Sequence, residues 1–230
     1  MNTVAIVGNG PSAEGRGTEI DACEVVVRCN NCIRMGAGRA GVRLDALAWF
    51  GDRESRCFPP PGDYEHWITL PPDRHWPPHW QHKGGWEKIV EAANGRAAIR
   101  WVTDWQWQRE AAELARVGTG AFAGRDWTAP TTGFTAVDMA LRALRPARLC
   151  LYGFDATAPD APGYDAGPCS WQHDFTGEKL HLAALRDHGR WLGEPLGWPL
   201  AVTWPDAPAL PPADVRRAAG LPPEPPAPAV

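Results

Sequence analysis

The residues best equipped for chemistry stand in short blocks along the chain. The first is Gly8-Asn9-Gly10-Pro11-Ser12, directly after an apolar run that ends at Val7. A chain leaving a strand here must turn sharply and bring its backbone close to a ligand, and two residues without Cβ serve both needs. Ser12 is placed to cap the next helix and to offer a hydroxyl, so the block reads as a phosphate-binding turn. The bland counterpart is an Asn-Gly turn between two strands.

A dinucleotide-binding turn is followed about twenty residues later by an acid that holds the ribose hydroxyls. This chain has Arg28-Cys29-Asn30 in that place. Asn30 offers an amide, donor and acceptor at once, to a base or ribose. It lacks the carboxylate of NAD enzymes, while Arg28 facing a 2′-phosphate keeps an NADP-dependent alternative open. A second anion site is written in Pro130-Thr131-Thr132-Gly133, where two hydroxyls and a glycine open an amphipathic helix. Its free amides and dipole suit a carboxylate or phosphate, and Thr132 as an ordinary N-cap is compatible with that role. A third block, Gly153-Phe154-Asp155, closes an apolar strand, the place where open parallel sheets hold ligands. An Asp there is as often a turn cap. Tyr164 and His173 follow.

Other constellations carry less. His75, His79 and His82 have a spacing that would gather three imidazoles for zinc on a helix, but Pro77 and Pro78 break that helix. Cys29 and Cys32 form one CxxC without a second pair, so no metal site is expected. Of the 13 tryptophans most should fill core and rim, with one or two near a ligand. His181 and His188 share one side of a helix, solvated or partly buried, without a partner group to act on.

These blocks need elements to position them. Residues 3–7, 24–28, 44–50, 66–70, 98–103, 148–153 and 200–204 are strand-like, and they alternate with helical patterns at 86–93, 104–117, 132–144 and 176–192. In the third helix Phe134, Val137, Leu141 and Leu144 fall on one stripe. Such alternation predicts an α/β class with a Rossmann-like, mostly parallel sheet, helices on both faces, in a single domain. A chain of 230 residues, 44% hydrophobic, fills one such core. Residues 1–204 are assigned to a nucleotide-binding domain and 205–230 to a Pro/Ala-rich flexible tail, since proline supplies no amide to helix or strand interiors. The Pro-, Trp- and His-rich stretch 59–85 predicts an irregular excursion with one strand inside it.

Composition excludes some partners. The net charge of -4 is spread among scattered acids and bases, which excludes the basic face of a nucleic-acid binder. No signal peptide or long apolar run is present, so a cytoplasmic protein without a membrane span is expected. The 6 cysteines fit reduced thiols in that compartment. Nothing in the sequence specifies an oligomer.

Together, G-N-G-P-S after the first strand, R-C-N after the second, T-T-G opening a helix, Y-G-F-D ending a later strand and a histidine before the last long helix resemble the sialyltransferase superfamily. The likeness is greatest to its compact bacterial members and covers residues 3–192. It implies a nucleotide held by Asn9, Gly10, Ser12 and Asn30, with Gly8 and Pro11 in the same turn. It implies contacts to the sugar carboxylate at Thr132 and Gly133, beside Thr131, and support of the cytidine by Gly153 and Asp155. Tyr164 would hold the leaving phosphate and His173 would be the general base.

The activity so implied is inverting transfer of a sugar from a CMP-linked donor, CMP-sialic acid or its like, to the hydroxyl of a glycan or small acceptor. It needs neither metal nor cofactor, because hydroxyls and amides can stabilise the departing phosphate. Departures are visible as well. The stretch from Gly153 to His173 is short for a lid over the sugar, Ala156 stands where the family has a tyrosine, and the asparagine after the third strand is replaced within 49–53. They leave open a catalytically reduced nucleotide-binding accessory protein of the same fold; the NADP-dependent oxidoreductase is the alternative from another class.

Overall fold

The computed structural model describes residues 2–30, 32, 34–49, 63–69, 98–155 and 173–224. Their strands are β1 (Thr3–Val7), β2 (Val25–Cys29), β3 (Ala46–Trp49), β4 (Glu65–Ile68), β5 (Ile99–Trp101), β6 (Arg148–Tyr152), the short β7 (Arg190–Trp191) and β8 (Glu194–Pro195), and β9 (Ala201–Thr203). The α-helices are α1 (Gly17–Asp21), α2 (Asp104–Val117), α3 (Thr132–Leu144), α4 (Phe175–His188) and α5 (Pro212–Ala218). Each strand-like run of the sequence coincides with a strand to within one or two residues at either end. The expected helix at 86–93, the three spaced histidines, Cys57, Cys169, Ala156 and Tyr164 lie outside the described residues.

Seven strands form one sheet in the order β5-β4-β3-β2-β1-β6-β9. Every neighbouring pair is parallel. The near-continuous apolar character of β1 and β2 has its cause here, since both faces of a parallel sheet are covered. Val4, Ile6, Val27, Leu149 and Leu151 pack on one face with Phe134, Val137 and Leu141 of α3. Ala5, Val7, Val26, Cys150 and Tyr152 point to the other face, against Ala13 and Ile20. The chain runs outward from β1 through β2 to β5 and then returns to β1's other side with β6. The reversal opens a crevice beyond the carboxyl ends of β1 and β6, where open α/β sheets place their ligands.

Two expectations are corrected. The helix predicted to run to residue 192 ends at His188, because Gly189 takes a left-handed conformation (φ 60°) and caps it. Beyond it Leu192 and Gly193, both at positive φ, turn the chain into the β7–β8 hairpin. The segment 205–230, expected to be a flexible tail, contains α5. Pro212 stands in its first turn, where no amide is needed. Val215 and Ala218, with Ala219, bury against Val117, Leu180, Ala183 and Ala184. Arg116 donates to the carbonyls of Arg217 and Ala218 (3.1 and 3.4 Å) and Arg190 to that of Ala219, satisfying the helix end.

Candidate functional site

The glycine turn leaves β1 and at once meets the end of β6. Gly8 N–H donates to the Tyr152 carbonyl (2.8 Å) and Gly10 N–H to that of Gly153 (3.1 Å). A Cβ on Gly8 would come within 2.5 Å of the Gly153 oxygen, and one on Gly10 within 1.9 Å of Asp155 Oδ1. Gly153 itself sits at φ 70°. The missing side chains thus admit the second loop, which the sequence had suggested was a ligand.

Ser12 differs from expectation in the same way. Pro11 to Ala13 make a single 3-10 turn, and α1 starts at Gly17 without a side-chain cap. Ser12 instead donates its amide to Asp155 Oδ2 (3.1 Å) and its hydroxyl to Oδ1 (2.8 Å), and its Oγ accepts from Gly153 N–H (3.2 Å). Gly8, Gly10, Ser12, Gly153 and Asp155 are therefore one clasp across the floor of the crevice.

Asn30 directly follows β2. It adopts φ 55°, a conformation asparagine tolerates better than most residues, and its backbone N–H donates to the Ala48 carbonyl (2.8 Å). Asn9 is tied to the same loop, for its carbonyl accepts from Arg34 Nε (2.8 Å). Arg28 does not face the crevice. Its guanidinium, 1% exposed, donates to the carbonyls of Arg43 and Ala40 (both 2.7 Å) and lies 3.7 Å from Asp21. The proposed contact with a 2′-phosphate is overturned: these buried carbonyls already hold the cation.

The second anion site begins one residue earlier than its most obvious cap. Thr131 is the N-cap of α3, its hydroxyl accepting from Phe134 N–H (3.2 Å), and Thr132 is the first helical residue. Thr131 donates its amide and hydroxyl to the two carboxyl oxygens of Glu178 (2.6 and 2.7 Å). Burial pushes the pKa of Glu178 up to about 8 against these hydrogen bonds. Phe154 lies over Gly133, where a Cβ would be 3.2 Å from the ring. Three consecutive residues thus tie the halves together: Gly153 and Asp155 hold the glycine turn, and Phe154 covers the first turn of α3.

His173 joins the same constellation from the chain before α4. Its Nδ1 is 2.9 Å from the Ala129 carbonyl, two residues before Thr131. A carbonyl can only accept, so Nδ1 carries the proton and Nε2 keeps its lone pair. Burial lowers the pKa of this imidazole, keeping it neutral near pH 7. The next residue, buried Asp174, caps α4 by accepting from Gly177 N–H (2.9 Å), and it also accepts the amide and hydroxyl of Thr119 (both 2.7 Å). Burial lowers the pKa of half-buried Lys179, opposed by Asp155 first and, when ionised, by Glu178.

Several supports were not singled out in the sequence. Asp174 three residues before Gly177 is a recognisable N-cap, whereas Glu178 and Lys179 carry no local signal. Behind α3, buried Glu110 accepts from the Thr135 hydroxyl (2.6 Å), and Asp138 accepts from Arg142 (2.6 Å) and Trp191 Nε1 (2.7 Å). Burial, reinforced by Asp138, holds Glu110 well above the usual carboxylate range. His181, expected on a solvated or partly buried face, is fully buried and depressed to about 4. His188 is exposed.

The sequence matches no family model and no curated protein. Among solved structures, the chain is similar to a mammalian sialyltransferase, with TM-score 0.55 and 16% identity over 80% of this chain and 65% of that one. A mammalian sialyltransferase in complex with Gal-beta-1-3GalNAc-ortho-nitrophenol gives 0.53 and 17% over the same shares. The sialyltransferase CstII from Campylobacter jejuni, in complex with CMP-3FNeuAc, superposes at 0.48 with 15% identity over 90% of this chain and 83% of that one. The chain thus spans just under two thirds of the mammalian enzymes it matches. No helix among the described residues is long and apolar enough to cross a membrane. In its all-parallel sheet, single layered core and crevice at the ends of β1 and β6, this chain has a sialyltransferase-like fold.

Proposed function

We propose that the protein is a glycosyltransferase of sialyltransferase type, which moves a sugar from a CMP-linked donor to an acceptor hydroxyl with inversion. The observation that carries this reading is the bond from His173 to the Ala129 carbonyl. With burial favouring the neutral ring, this bond puts the proton on Nδ1 and leaves Nε2 unprotonated beside the N-terminus of α3, as a general base requires.

In this reaction the bond between the anomeric carbon and the CMP phosphate oxygen breaks, and CMP leaves with the electron pair. The acceptor oxygen bonds to the opposite face of that carbon, and its proton passes to His173 Nε2. Asn9 and Asn30 would hold the nucleotide above the clasp. Among the described residues the amides of Thr132 and Gly133 have no acceptor, so they and the helix dipole are open to the donor carboxylate. Lys179 adds a cation for the leaving phosphate, a task for which Tyr164 would be the second contact. The reading requires no metal or cofactor, since hydroxyls, amides and an ammonium can stabilise the departing charge.

Binding without transfer is the second reading. It is favoured by the clasp itself, in which Ser12 and Asp155 spend their polar groups on each other. The NADP reading loses its motivation with the burial of Arg28. A thermal-shift panel separates the NADP reading from the other two: CMP should stabilise the protein, and NAD and NADP should not. His173→Ala should then lose turnover of CMP-sialic acid and still bind CMP. Undiminished transfer in that variant would sink the mechanism, and wild-type donor hydrolysis above background would exclude binding without chemistry.

A further inference from the structure

The segment between α2 and α3 is fastened at both ends to two consecutive residues of the site. Thr119 donates its amide and hydroxyl to Asp174 (both 2.7 Å), and the Ala129 carbonyl accepts from His173 (2.9 Å). Between these fastenings residues 123–127 are exposed. Trp127 leaves 51% of its surface to solvent. An apolar ring so placed forgoes the burial that a tryptophan normally gains. Exposed Trp105 has two cationic partners, the guanidinium groups of Arg109 and Arg142 over its ring at 5.7 and 5.4 Å. For Trp127 the ring partner is Trp107, with centroids 6.4 Å apart and planes at 44°, which props the indole at the surface.

Trp127 stands two residues before the carbonyl that orients His173, a backbone span of at most about 7 Å. A base must face the hydroxyl it deprotonates, so this surface borders the acceptor's path. The C–H face of a pyranose is apolar and its edge polar, a match for an indole with an apolar face and one N–H. The adjoining Arg125 and Asp126 have opposite charges, so this surface carries no net charge to select an ion.

We propose that Trp127, propped by Trp107, is the platform on which a neutral pyranose of the acceptor glycan stacks, with its hydroxyl turned toward His173. The assignment rests on the transfer reading above, and the experiment keeps the two apart. CMP affinity is measured first by calorimetry on the full-length protein. Lactose and N-acetyllactosamine are then titrated with and without CMP, followed by saturation-transfer NMR, with glycerol as control.

Trp127→Ala should weaken sugar binding about threefold to tenfold, the worth of one aromatic stack. Trp127→Phe should retain most of the affinity, and CMP affinity should stay as in the wild type. Sugar binding unchanged in Trp127→Ala overturns the platform, as does CMP binding with no affinity for either sugar. Self-association of the wild type in sedimentation, abolished by Trp127→Ala, would also overturn it by assigning the ring to a contact between copies. Failure of CMP itself to bind overturns the donor reading alone, and the titrations without CMP still decide the platform.

Discussion

Asp155 takes both the amide and the hydroxyl of Ser12, at 3.1 and 2.8 Å, across a separation of 143 residues. This pair closes the loop after β6 onto the loop after β1, so the crevice floor is only as rigid as the clasp. Asp155→Ala leaves a half-buried amide and hydroxyl without their acceptor, a loss of about 1–3 kcal/mol. Gly10→Ala should act similarly, because its Cβ would displace the same carboxylate. Urea unfolding checks the stability of both variants, and calorimetry should show weaker CMP binding in step with it. Wild-type CMP affinity in a folded Asp155→Ala protein would separate the clasp from the nucleotide.

On the mechanism proposed, His173 sets the acid limb of activity. Its pKa is depressed by burial, so the neutral base is present at pH 7 and is lost as pH falls through a value below the ordinary 6.5. Turnover should decline on that side, and His173→Ala should lower kcat by about a hundredfold to ten-thousandfold at neutral pH. A pH series of initial rates measures both effects.

Glu178 makes the opposite contribution to stability. Its folded pKa of about 8 exceeds the ordinary 4.5, so the folded state binds the extra proton between those values. The stabilisation is complete below pH 4.5 and is lost as pH rises through about 8. The stability of the wild type relative to Glu178→Gln should fall over that window, by up to about 1.4 kcal/mol per pH unit. Urea melts at intervals across the window test the slope, and a flat difference would show that Glu178 is not buried as the neutral acid.

Arg28 is structural, since its guanidinium holds the Ala40 and Arg43 carbonyls. Arg28→Lys cannot serve both and should cost about 1–3 kcal/mol. NADP should give no thermal shift in either protein. A shift in the wild type that Arg28→Lys abolishes would restore the discarded contact.

Removal of residues 210–230 should destabilise the fold, because it uncovers Val117, Leu180 and Ala184 and deletes the buried Val215. Burial of that valine alone is worth about 1.5 kcal/mol. The melting temperature of the shortened protein measures the loss, and an unchanged value would return the segment to the status of a tail.

What the sequence by itself determined is local. The apolar runs of β1, β2 and β6 signal strands covered on both faces, and the apolar stripe with Pro130-Thr131 ahead of it places α3 at residues 132–144. These signals act over a few residues, through backbone sterics and side-chain period, and need no knowledge of partners. Tertiary structure decided which polar groups meet. Gly10 makes room for Asp155, Thr131 finds Glu178 47 residues away, and Arg28 turns from the crevice to Ala40. Strand order sets the first of those encounters, for only the placement of β6 beside β1 brings Gly10 and Asp155 together. The same holds for α5, whose proline-rich surroundings read as tail until α4 and Val117 offer its few apolar residues a surface to cover.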